Sequence, residues 1–206
     1  MRVVVLTWEY PPRIVGEMAY YAQTLCRELA KRGHETHVIT YHDQIRGTEK
    51  DPSRVVVHRV GNPVQTHINV LTWALTLSTE FERAFADIHH DIGAVDLLDC
   101  HEWTSVPAAT SLSEAFGVPY VMTVNSLEEH RSAQPDSPLS LAIRHFERLG
   151  TQSSSLVVVK SKAMKEDVQR LHGLPKRKVR YVERDEALGG KVSGIYARVG
   201  ARGESG

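Results

Sequence analysis

Several absences bound what this chain does. Its 25 lysines and arginines are matched by 25 aspartates and glutamates, so no global field favours nucleic acid or an anionic membrane. Two cysteines, Cys26 and Cys100, are too few for a disulfide framework, and both read as free thiols. No apolar run is long enough to span a bilayer, and the chain enters directly into an apolar strand. A cytoplasmic protein without signal peptide or membrane anchor is therefore expected. The Gly-x-Gly-x-x-Gly pattern is missing after the first strand, which argues against a nicotinamide-type site. Among the 11 histidines no metal-site spacing occurs. The adjacent His89-His90-Asp91 side chains diverge and read as a solvated loop, so no metal is expected.

What is present alternates between two periods. Arg2–Trp8 is a short run of β-branched and apolar residues, a buried strand, broken by Pro11-Pro12. From Glu17, residues Met18, Tyr21, Ala22, Leu25, Cys26 and Leu29 share one helical face, and Gly33 ends the helix. Strands follow at 34–41, 54–60, 94–100, 118–124, 155–159 and 178–182. Helices are expected at 69–88, 105–116, 138–152 and 162–171, with polar loops at 42–53 and 125–137. Strands alternating with helices predict a single α/β domain with a doubly wound, mostly parallel, Rossmann-like sheet over residues 1–182. Residues 183–206 carry six glycines and no evident period, and read as an irregular, disordered tail.

In this frame several segments resemble one family. Thr7-Trp8-Glu9-Tyr10-Pro11-Pro12-Arg13-Ile14-Val15-Gly16 looks like the opening of GT-B glycosyltransferases of the retaining, archaeal glycogen-synthase-like class. Leu29–Thr40 resembles that family's first helix end and second strand, and Asp99-Cys100-His101-Glu102-Trp103 its His-Asp-Trp site, with Glu for Asp. Val121–Ser126, Val157–Ser161 and Val179–Val182 resemble its later strands. The resemblance covers residues 1–182. It implies transfer of glucose from a nucleotide sugar, ADP- or UDP-glucose, to an α-glucan or oligosaccharide acceptor, with retention and without a cofactor or metal. It also implies a second, donor-binding half, which these residues do not include. A chain of this kind is expected to need a separate C-terminal GT-B half as partner and to be inactive alone. A non-catalytic glucan- or protein-binding module and a truncated remnant are the alternatives.

The resemblance marks His101 as the catalytic candidate, contacting the transferred sugar or stabilising charge at its anomeric carbon; the other reading is a structural histidine beside Trp103. Gly16, near a helix N-terminus, either meets the donor phosphate through its amide or forms only a turn, and Glu17 beside it opposes an anion. Arg13 is a second phosphate candidate or a surface cation. Trp8, Tyr10, Trp103, Asn125 and Ser126 are candidate sugar contacts; Asn125 can bind a hydroxyl but cannot shuttle a proton. The cations Lys160, Lys162, Lys165, Lys176, Arg177 and Lys178 lack interleaved aromatics and read as solubilising charge.

Overall fold

The computed structural model describes the backbone of residues 1–203 and the side chains through residue 200. One sheet dominates it. Its strands are β1 (Arg2–Thr7), β2 (Glu35–Tyr41), β3 (Gly47–Lys50), β4 (Val56–Val60), β5 (Leu97–His101), β6 (Tyr120–Val124), β7 (Leu156–Val159) and β8 (Val179–Tyr181). Their order is β3-β4-β2-β1-β5-β6-β7-β8, and only the edge strand β3 runs antiparallel among the described residues. The doubly wound, mostly parallel sheet is thus observed. The chain turns from one side of β1 to the other between β4 and β5, so the strand order switches at β1/β5. Ligand crevices in open sheets form at such a switch.

Helices α1 (Glu17–Lys31), α2 (Val70–Ile92), α3 (Val106–Phe116), α4 (Glu128–Arg131), α5 (Pro138–Ser153), α6 (Lys162–His172) and α7 (Leu188–Gly203) cover the sheet. Their starts follow local chemistry. Asn69 and Thr72 form a reciprocal capping box on α2, with the Thr72 amide donating to Asn69 Oδ1 at 3.0 Å. Ser137 and Ser161 accept from the amides of Ser140 and Met164 at 3.2 and 3.0 Å, capping α5 and α6.

Alternating side chains divide the core in two. On one face Val4, Leu6, Leu98 and Met122 pack against Leu77, Phe81 and Phe85 of α2, Leu112 of α3 and Val168 of α6. On the other, Val3, Val5, Leu97, Val121 and Val158 pack against α1 and α7.

The last helix is the main departure from expectation. The segment read as an irregular, disordered tail forms α7, and only residues 204–206 of that expectation lie outside the described residues. Leu188, Val192, Ile195, Tyr196 and Val199 do have a helical period, and all are buried. Five glycines among the helix's sixteen residues hide it, since each costs roughly 1 kcal/mol of helix propensity relative to alanine. Packing outweighs that cost. At Gly189 the glycine is needed for close approach: a Cβ there would lie 2.5 Å from Glu28 Cβ of α1. Two smaller elements, β3 and α4, also arise in segments read as loops.

Two substitutions separate a docked helix from a loose one. Gly194 is exposed, and a Cβ added there would meet nothing within 4 Å, so Gly194→Ala raises stability by about 0.5–1 kcal/mol. Gly189→Ala forces α7 off α1 and lowers it by about 1–3 kcal/mol. Urea unfolding reads both; equal stabilisation by the two alanines would contradict the α1–α7 contact.

Candidate functional site

A cleft of about 460 Å³ opens at the carboxyl ends of β1, β5, β6 and β7. Trp8, Met18, Val70, Trp103 and Ile143 line its apolar part, and Glu17, Asn125, Ser126, Arg131 and Lys160 its polar part. A larger open groove of about 1110 Å³ lies between β4 and the outer side of α2. It is distant from the switch point and mixes Arg83 with Asp87 and Asp91, so the smaller cleft is the better candidate.

Of the residues the sequence points to, Trp8, Trp103, Asn125 and Ser126 come together in this cleft. Trp103 is largely buried, clustered with Ala74 and Ile143, and shows the cleft little of its ring. Tyr10 is displaced from expectation: it is 2% exposed and belongs to the core under α1. Burial raises its phenol pKa.

The two phosphate candidates already have partners. Glu9, itself buried, accepts the amides of Val15 and Gly16 at 2.7 Å each. A carboxylate of the chain therefore occupies the Gly16 amide that a phosphate was expected to meet. Arg13 donates to Asp43 at 3.0 Å and to the Trp8 carbonyl at 3.3 Å. Its guanidinium lies 5.2 Å from the Trp8 ring and 4.9 Å from that of Tyr41. The aromatic group continues to Trp73, 5.8 Å from Trp8 and 5.1 Å from Tyr41, in edge-on contacts.

His101 is fully buried and does not line the cleft. On β5 the side chains of Asp99 and His101 point to the same face, and His101 Nε2 donates to Asp99 Oδ2 at 3.0 Å. Asp99 also accepts Thr123 Oγ1 at 3.0 Å and the hydroxyl of Tyr196 from α7. The His101 ring lies 5.6 Å from that of Tyr21, and Arg184 covers Tyr21 at 4.1 Å. In this arrangement His101 makes the structural contact rather than the sugar contact expected of it.

Glu102 stands at the strand end with φ of 62°, a left-handed backbone uncommon outside glycine. Its Oε1 accepts the amides of Asn125 and Ser126 at 2.6 and 3.3 Å, so this acid shapes the turn that presents both residues. Burial raises its pKa. Arg131 ties the turn to α5, donating to Ser126 Oγ at 2.5 Å and Glu147 at 2.8 Å, with Glu128 at 3.2 Å. With Glu102 at 3.6 Å, three carboxylates thus share one guanidinium. Desolvation pushes Glu147 up to about 7, against the opposing pull of Arg131.

Nothing in the sequence pattern flagged Glu9, Glu147, Arg184 or Tyr196. The last was readable, since Tyr196 lies on the apolar period of α7. Among the described residues no group of three or more His, Cys, Asp or Glu side chains is arranged to hold a metal ion. No described helix is long and apolar enough to cross a membrane. Cys26 and Cys100 are free and buried, with thiol pKa values raised by desolvation.

The chain is one Rossmann-like α/β domain with a crevice at its switch point, an architecture that matches about half of a GT-B structure. The glycosyltransferase family 4 profile matches residues 18–184, and the chain belongs to that family. It is 34% identical over 182 residues to an uncharacterized glycosyltransferase of Methanocaldococcus jannaschii, a match covering 88% of this chain and 45% of that protein. It is 24% identical over 188 residues to a glycogen synthase of Mycobacterium tuberculosis, covering 84% and 45%. The chain therefore spans about half the length of the curated relatives it matches. Among solved structures it resembles a sucrose-phosphate synthase of Thermosynechococcus elongatus, with TM-score 0.73 at 17% identity over 88% of this chain and 47% of that one. A second chain of that synthase, bearing the ranges 27–220 and 406–426 in its name, gives 0.71 at 16% identity, covering 96% of this chain and 98% of its own. That coverage takes in more than half of the residues after 182.

Glu147 supplies a pH test. Its folded pKa lies above the usual carboxylate value, so its contribution to stability is complete below about 4.5 and is lost as pH rises through about 7. Wild-type stability measured by urea unfolding is expected to fall between about pH 5 and about pH 7.5, and Glu147→Gln to flatten that fall. An identical slope in both proteins would refute the assignment.

Proposed function

We propose that this chain is the acceptor-side domain of a glucosyl-transferring enzyme, holding the non-reducing end of an α-glucan in the cleft at β1, β5 and β6. A second, donor-binding half would bring ADP- or UDP-glucose, and the domain alone turns over no substrate. The observation that carries the reading is the composition of the cleft: an apolar wall of Trp8, Met18, Val70 and Ile143 beside the neutral hydrogen-bonding groups of Asn125 and Ser126. The half-buried Trp8 ring beside amide and hydroxyl groups suits a sugar ring, which offers apolar C–H faces and hydroxyl edges. Sequence similarity to a glycogen synthase supports glucan as the acceptor.

The incomplete donor site supports inactivity in isolation. Transfer requires donor and acceptor held in reacting geometry, and the Gly16 amide and Arg13 are engaged by Glu9 and Asp43. His101, buried under Tyr21, acts as the anchor of Asp99 in this state and would need the Tyr21–Arg184 cover removed to reach a sugar.

Titration calorimetry with maltooligosaccharides tests the reading. Saturable binding is expected, weakened about tenfold by Trp8→Ala and by Asn125→Ala, the loss of one stacking or hydrogen-bonding contact. A cooperatively folded protein that gives no heat with any maltooligosaccharide would sink it.

A further inference from the structure

We propose that Arg177, Lys178, Arg180 and Arg198 form a binding site for a compact, multiply charged phosphate-type anion at the amino end of β7 and β8. The site lies at the end of the sheet opposite the cleft, so its occupant is independent of whatever the cleft holds.

The four cations reach one place from two segments distant in sequence. Arg177 and Lys178 belong to the turn that enters β8, and Arg180 lies on that strand. Arg198 comes from α7, about one turn beyond the buried Ile195. All four line a single recess of about 330 Å³, with Leu156 and Ile195 as its buried apolar members. In the sequence only Arg177 and Lys178 stand together, as ordinary surface charge. Docking of α7 makes the cluster.

No acid lines the recess, and none of the four is ion-paired among the described residues. Elsewhere Arg2, Arg27, Arg59, Arg144 and Lys191 each have an acidic partner. In a chain whose charges balance overall, four cations around one recess create a local positive field. Their mutual repulsion is unrelieved until an anion enters. A row of cations on the edge strand β8 also deters strand pairing, but that role needs neither a recess nor Arg198.

The donors are available to a ligand. Lys178 Nζ donates to the Gln152 carbonyl and keeps its other protons free. Desolvation lowers the pKa of this ammonium, and a bound oxyanion would raise it again. Arg180 makes only a long contact with the Lys176 carbonyl, at 3.4 Å. Arg177 and Arg198, both exposed, make no hydrogen bond among the described residues, which leaves their planar forks for bidentate contact with an oxyanion. Because Arg198 stands on α7 and the others at β8, a bound anion ties the closing helix to the sheet edge and stabilises the fold by linkage.

The test is calorimetry and thermal unfolding of the full 206-residue chain with inorganic pyrophosphate at fixed ionic strength. Saturable binding is expected, with a thermal midpoint that rises as pyrophosphate is added. Arg177→Gln and Arg198→Gln each weaken binding about tenfold, the loss of one charge-assisted contact. Without ligand both variants keep the wild-type midpoint or exceed it, since repulsion within the cluster is relieved. Lys160→Gln, in the cleft, binds pyrophosphate as the wild type does; weakened binding there places the anion in the cleft and overturns the proposal. Equal affinity in the wild type and the Arg177→Gln/Arg198→Gln double variant overturns it, as does the absence of saturable binding. Binding to phosphatidylglycerol vesicles without any to pyrophosphate also overturns it, and makes the cations a membrane-facing patch.

Discussion

A parallel sheet needs cover on both faces, and on one face of this sheet the first 182 residues supply a single helix, α1. Val3, Val5 and Leu97 lie in the same cluster as its apolar side, and the cluster extends through Val121, Leu156, Val158 and Val182 to α7. The closing helix is what removes the β6–β8 part of this face from water. Its five buried apolar side chains are worth roughly 1.5–3 kcal/mol each, against roughly 1 kcal/mol for each glycine in a helix interior. Burial decides the matter, and the helix exists because the sheet is there to receive it.

The same arrangement shapes the cleft. The switch in strand order sends the chain ends after β1 and β5 apart, and the space between is walled by Trp8 and Trp103 and bounded by the Asn125–Ser126 turn. Side chains of the protein itself then occupy the anion-receptive points on the β1 side: Glu9 on the loop amides, Asp43 on Arg13. What this leaves on that side is an apolar wall suited to a neutral ring.

Much of the fold was legible because two periods, 2 and 3.6, alternate clearly through residue 182. The unread parts have specific causes. The edge strand Gly47–Lys50 is wholly exposed and lacks any apolar alternation, so only its pairing with β4 makes it a strand. The helix α7 was concealed by glycines whose low propensity is overridden by tertiary packing. In the candidate site, Trp8, Trp103, Asn125 and Ser126, which the family resemblance points to, share one cleft because each closely follows a strand at the same sheet edge. Burial of Tyr10 and His101 was not legible, since it depends on α1 and α7 folding over strand ends distant in sequence. Nor does any local pattern reveal that Glu9 reaches forward to hold Val15 and Gly16.

Asp99 accepts hydrogen bonds from Thr123, His101 and Tyr196, which belong to β6, β5 and α7. The carboxylate is fully buried, so losing one donor leaves a charge that water cannot reach to compensate. Partial detachment of the closing helix is therefore not an event confined to the chain's last residues. It strips a donor from the acceptor that also fixes His101. The orientation of the buried His101 side chain thereby depends on whether α7 is seated.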